Sequence, residues 1–109
     1  MEITSIDEIA CDIFGITLEE LDARSQKKEV TDCKFAIYYF RKKELNLRLT
    51  TIGRMYGFSA SGVNYGVKAF ESMLLKHKSI RLRYNKFSKE SHIIVKRNLK
   101  EKGYKFRGL

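Results

Sequence analysis

The sequence predicts an all-α protein, and three of its features carry that expectation. No proline occurs in 109 residues, which removes the commonest helix breaker. Apolar residues recur at steps of three and four along most of the chain. Capping residues stand where those apolar runs begin.

Ser5-Ile6-Asp7-Glu8 is a capping-box pattern, in which the Ser hydroxyl accepts from a first-turn amide and the Glu reaches back. Ile6, Ile9, Ala10, Ile13 and Phe14 follow at helical spacing, and Gly15 suits the stop. Thr17-Leu18-Glu19-Glu20 repeats the capping box and opens a short second helix to about Ala23. Residues 24–28 form a polar, basic connection. A third helix is expected from about Val30 to Glu44, with Val30, Cys33, Ile37, Tyr38 and Phe40 turned inward. Its β-branched and aromatic middle makes a strand the local alternative. Length and the cations Arg41, Lys42 and Lys43 at its end favour helix.

Thr50 is the expected N-cap of a fourth helix through Tyr56, after which Gly57 permits a tight turn. Ser59 or Ser61 caps a fifth helix, whose Val63, Val67, Phe70 and Leu74 share one face. Its outer face offers Ser61, Asn64, Tyr65 and Lys68. Beyond His77 the pattern changes. Ile80, Leu82 and Tyr84 alternate with Arg81 and Arg83, which reads as a short strand or an irregular extension. Ser88 to Lys102 reads as a further helix, with Val95 and Leu99 inward and Gly103 closing it. The expected organisation is a domain over 1–78 and a basic, aromatic-containing extension over 79–109.

Charge is unevenly spread along the chain, which carries +9 in all. Residues 1–23 hold seven acids and no Lys or Arg, whereas residues 76–109 hold twelve Lys and Arg against two acids. Such a basic field attracts polyanions, chiefly nucleic acid or anionic membrane. Cys11 and Cys33 are the only cysteines and belong to no CxxC pair. With no signal peptide and no apolar run of membrane-spanning length, the expected setting is a reducing cytoplasm, with no membrane partner. His77 and His92 lack neighbours at ligand spacing, so no metal site is expected. Ser59, Ser61 and His77 do not suggest a triad. Neither a catalytic residue nor a cofactor is expected, and the chain reads as a binding protein rather than an enzyme.

The stretch from Leu49 to Leu74 carries the functional signal. A helix-turn-helix needs a bracing helix, a sharp turn with a small residue, and a polar outer face on the second helix. Ile52 and Val63 are the buried braces here, and Gly57 makes the turn. The same pattern also suits a plain helical hairpin. As a DNA reader, it offers Ser59, Ser61, Asn64 and Tyr65 as base-contact candidates. Lys27, Lys28, Lys34, Arg54 and Lys68 are candidates for phosphate.

Residues 6–75 resemble the C-terminal DNA-binding domain of the bacterial replication initiator DnaA, a helical domain of the Trp-repressor type. The likeness runs through FGITLEELDARSQKKEV, with Phe14-Gly15-Ile16-Thr17 and Leu21 in place. It continues into LTTIGRMYG, close to the family's L-P-x-I-G-x-x-F-G, and through Val63 into the following helix. The resemblance implies a duplex-DNA binder acting at the bacterial nucleoid. Departures accompany it. The family's G-R-D-H-T-T-V is replaced by Phe58-Ser59-Ala60-Ser61-Gly62-Val63, one residue shorter and without the Asp-His pair, so the family's DNA site is not carried over. Gln26 stands where the family has a minor-groove Arg and joins the phosphate-contact candidates beside Lys27 and Lys28. Lys34 stands for another Arg and loses its bidentate fork. No GxxxxGK[ST] occurs, so the initiator's nucleotide-binding activity is not implied.

The expected function is duplex-DNA binding by a small regulator or accessory factor. The alternative is a protein-interaction module that keeps the fold and docks a partner on its acidic first helices. For the tail, Tyr104 and Phe106 stacking on bases beside Lys105 and Arg107 is one reading, with RNA a further partner. An arm that folds on binding and a segment that packs on the domain are the others.

Overall fold

The computed structural model describes residues 5–23, 25 and 27–101, with the backbone alone at 97–101. Among the described residues there are six α-helices and no strand: α1 Ile6–Phe14, α2 Leu18–Asp22, α3 Lys28–Lys43, α4 Leu49–Tyr56, α5 Ala60–Lys76 and α6 Lys78–Glu101. The all-α expectation holds.

Both predicted capping boxes are formed. Ser5 Oγ accepts from the Glu8 amide at 3.1 Å while Glu8 accepts from the Ser5 amide at 2.8 Å. Thr17 and Glu20 make the same exchange at 3.0 and 2.9 Å. Gly15 ends α1 in the left-handed region, at φ 74°. Thr50, by contrast, is not a cap. α4 begins one residue after the extended Arg48, with no side-chain cap, and Thr50 lies inside its first turn. Leu49 packs on the core at this point, and that packing sets the start of the helix.

Two apolar clusters hold the helices. The larger joins Ile6, Ile9, Ala10 and Phe14 of α1 to Cys33, Ala36, Ile37 and Phe40 of α3, Phe70 of α5, and Ile80, Tyr84 and Phe87 of α6. The smaller lies under α4 and α5 and consists of Tyr38, Ile52, Val63 and Val67. Cys11 and Cys33 are both free thiols buried in the larger cluster, and burial raises the pKa of each.

The segment after His77 differs most from expectation. It is neither strand nor irregular: residues 78–101 form one continuous helix. The alternation of Ile80, Leu82 and Tyr84 is part of a longer stripe, in which Ile80, Tyr84, Phe87 and Ser91 are buried at helical steps and Leu82 is left 60% exposed. His77 breaks the chain direction between α5 and α6 with an extended backbone. Arg81 then turns back and donates to the Leu74 carbonyl at 2.9 Å, satisfying one of the open acceptors at the end of α5. Val95 packs partly on the core as expected. The Leu99 side chain and residues Tyr104 to Arg107 lie outside the described residues.

Glu44, just past α3, binds α6 along three turns. Its carboxylate accepts from Tyr84 Oη, from Ser88 Oγ at 2.8 Å, and pairs with His92 Nε2 at 2.6 Å. The buried Tyr84 phenol has its pKa raised by desolvation and by this carboxylate.

Candidate nucleic-acid interface

Two glycines fix the geometry of the connection from α4 to α5. Gly57 adopts φ 74° and turns the chain out of α4. Gly53, one turn earlier, lies directly under that connection: a Cβ there would collide with the carbonyl oxygen of Phe58. The Phe58 amide donates to the Gly53 carbonyl at 2.9 Å, so the turn is seated on the helix it leaves. Ser59 caps α5 by accepting from the Gly62 amide at 3.1 Å. Ile52, Val63 and Val67 are buried beneath, as the bracing role requires.

α5 is pressed closely against α3. A Cβ on Gly66 would come 2.7 Å from the Phe35 ring and 3.0 Å from Tyr38, so only glycine allows this approach. Tyr38 is central. Its ring meets Tyr56 at 5.5 Å and Phe58 at 6.2 Å between centroids. Its buried hydroxyl has no hydrogen-bond partner, and burial raises its pKa. Tyr56 Oη accepts from Arg41 Nε at 2.9 Å and donates to Asp7 Oδ1 at 2.7 Å. This chain of contacts ties α4 to α3 and α1.

The predicted contact residues differ in how free they are. Ser61, Tyr65 and Lys68 lie on the outer face of α5 and are exposed, Tyr65 at 69%. Asn64 is half-buried on the flank of that face, and Arg54 is exposed on α4. Ser59 is exposed at the turn, but its hydroxyl is engaged as the cap and lies 3.3 Å from Ser61 Oγ. Two more are committed within the chain. Lys34 Nζ donates to the Ala23 carbonyl at 3.1 Å and sits over the Phe58 ring, 5.5 Å from its centroid. Lys28 pairs with Asp32 at 2.9 Å, one helical turn away. Lys27 is exposed at the start of α3, which has no side-chain cap. Gln26 lies outside the described residues.

Two residues of this surface were not among the predicted contacts. Phe58 is 40% exposed in the turn and lines a groove of about 300 Å³ with Ser25, Thr31, Lys34, Phe35 and Tyr65. A large apolar residue directly after a turn glycine is the signal that marks it. Arg48 is exposed immediately before α4 and adds a cation beside the motif.

The acidic first helices are less available than their composition suggests. Asp7 is taken by Tyr56 and Arg41, while Glu8 and Glu20 close the capping boxes. Asp12, Glu19 and Asp22 remain exposed. Among the described residues, no group of three His, Cys, Asp or Glu is placed to hold a metal ion. Within the same residues, no helix is long and apolar enough to cross a membrane. Compared with models of known protein families, the chain matches none.

Proposed function

We propose that this chain binds duplex DNA through a helix-turn-helix made of α4, the turn at Gly57–Ser59 and α5, in a domain of the DnaA C-terminal, Trp-repressor type. One observation carries the reading. The turn is seated on α4 through Gly53 and Gly57, and the α5 that follows carries Ser61, Tyr65 and Lys68 exposed on its outer face. Arg48 and Arg54, exposed at the start and in the last turn of α4, suit phosphates of the backbone that the bracing helix crosses. α5 enters the major groove, α4 crosses the backbone, and the basic charge of the chain draws the polyanion in. Such a chain serves as a small regulator or accessory factor acting at the bacterial nucleoid.

The test is a titration of random-sequence duplex against rising salt. Affinity is expected to fall linearly in the log–log plot, and Lys68→Ala or Arg54→Ala to reduce the slope by about 0.9 for each lost phosphate contact. Lys89→Ala, an exposed cation on α6, is the charge-matched control and leaves the slope nearly unchanged. Absence of binding at low salt overturns the reading, and so does binding indifferent to salt. Equal effects of Lys68→Ala and Lys89→Ala move the interface away from α5.

A further inference from the structure

The face of α5 is unusual in what it omits. Over its first three turns, from Ala60 to Phe70, it carries no Arg, Gln, Asp or Glu, and its one cation, Lys68, stands in the third turn. In the major groove, guanine is read chiefly by Arg or Lys at O6 and N7, and cytosine by a carboxylate accepting from N4. The two leading turns of α5 therefore lack the charged groups that favour a G·C pair, and their Ser61 can meet either kind of pair. What they hold instead is an amide, Asn64, on the flank of the outer face, and an exposed aromatic, Tyr65; a second exposed aromatic, Phe58, stands in the turn before the helix. An amide side chain matches adenine N6 and N7 in a bidentate pair, and apolar surface matches the thymine methyl.

The aromatic surfaces are held in place. Tyr65 rests edge-on against Phe35 with ring centroids 6.1 Å apart. Phe58 is gripped between Tyr38 and the Lys34 ammonium. Both line the same groove between α3 and α5, so their rings lie along one edge of it. Side chains pre-set in this way lose little freedom when a ligand arrives.

We infer that α5 selects A·T base pairs in the major groove, with Asn64 reading adenine and the Tyr65–Phe58 edge reading thymine methyls. This inference rests on the duplex-DNA reading above. Lys68, Arg54 and Arg48 meet phosphates and supply affinity without sequence preference.

Four duplexes about two helical turns long separate the outcomes: an A·T-rich sequence, a G·C-rich sequence, the A·T-rich sequence with deoxyuridine for thymidine, and the G·C-rich sequence with inosine for guanosine. The A·T-rich duplex is expected to bind about tenfold tighter than the G·C-rich one. Deoxyuridine lacks only the methyl group and is expected to lose a few-fold of that preference. Inosine–cytosine pairs resemble A·T in the minor groove and G·C in the major groove, and are expected to bind like G·C. Asn64→Ala and Tyr65→Ala should flatten the preference while keeping the salt slope, and Lys68→Ala should do the reverse. Equal, salt-dependent binding of all four duplexes overturns the inference and leaves the DNA-binding reading standing. So does an inosine duplex that binds like A·T, which places the reading in the minor groove. An unchanged deoxyuridine duplex removes the role of the aromatic edge. No binding to any duplex overturns both readings.

Discussion

Gly53 and Gly57 sit four residues apart and do different work. Gly57 supplies a left-handed backbone, which other residues adopt at a cost of about 1 kcal/mol. Gly53 supplies space, because the Phe58 carbonyl occupies the volume a Cβ needs. Gly53→Ala is expected to destabilise the fold by about 3 kcal/mol, since a backbone atom at a seated turn yields less than a side chain. Gly57→Ala should cost about 1 kcal/mol, and chemical denaturation of the two variants measures the difference. Equal effects would mean that the turn is free to move off α4. At this scale the sequence was partly legible. Gly57, Ser59 and both capping boxes follow from residue type and spacing. Gly53 did not stand out as a contact glycine, because its role depends on a carbonyl five residues away. Thr50 misled for a related reason: cap chemistry was present, but the packing of Leu49 placed the helix start earlier.

Helix α6 is the element that most changes the picture. Its sequence mixes an inward stripe with many exposed cations, and residues 80–84 near its start alternate in a way that also fits a strand. Only over three turns does the stripe of Ile80, Tyr84, Phe87 and Ser91 declare a helical period. Polar contacts reinforce it, as Glu44 meets Tyr84, Ser88 and His92 on successive turns. Removing that carboxylate strands three donors in a half-buried site. Glu44→Ala is expected to cost about 2 kcal/mol, and Glu44→Gln less, because the amide oxygen still accepts. Amide hydrogen exchange should report the loss first in α6. Exchange that quickens equally in all helices would show that Glu44 supports the whole core rather than this one attachment.

At the scale of the molecule, the boundary expected after residue 78 falls at the bend at His77, but the core does not stop there. Ile80, Tyr84 and Phe87 are buried with α1 and α3. Each such side chain contributes about 1.5–3 kcal/mol, against a total stability of about 5–15 kcal/mol for ordinary domains. A chain ended at residue 78 is therefore expected to lose its cooperative unfolding transition, as followed by circular dichroism. A sharp transition in that shortened chain would show that α1 to α5 suffice. The sequence carried the helical class and the order of the first five elements, because those rest on local spacing. It did not carry the joining of α1 to α6, because apolar periodicity records which face is buried and not against what.

That joining also bears on how the protein is made. Synthesis delivers α1 first and α6 much later, so the apolar face of Ile6, Ile9 and Phe14 waits for its partner while the intervening helices emerge. Closure between distant parts of a chain is slow compared with local helix formation. A nascent chain is at its most adhesive during that interval. Residues 1–23 carry seven acids and no Lys or Arg, which keeps early copies apart, but residues 24–75 add ten cations against four acids and nearly cancel that repulsion before α6 arrives to cover the face.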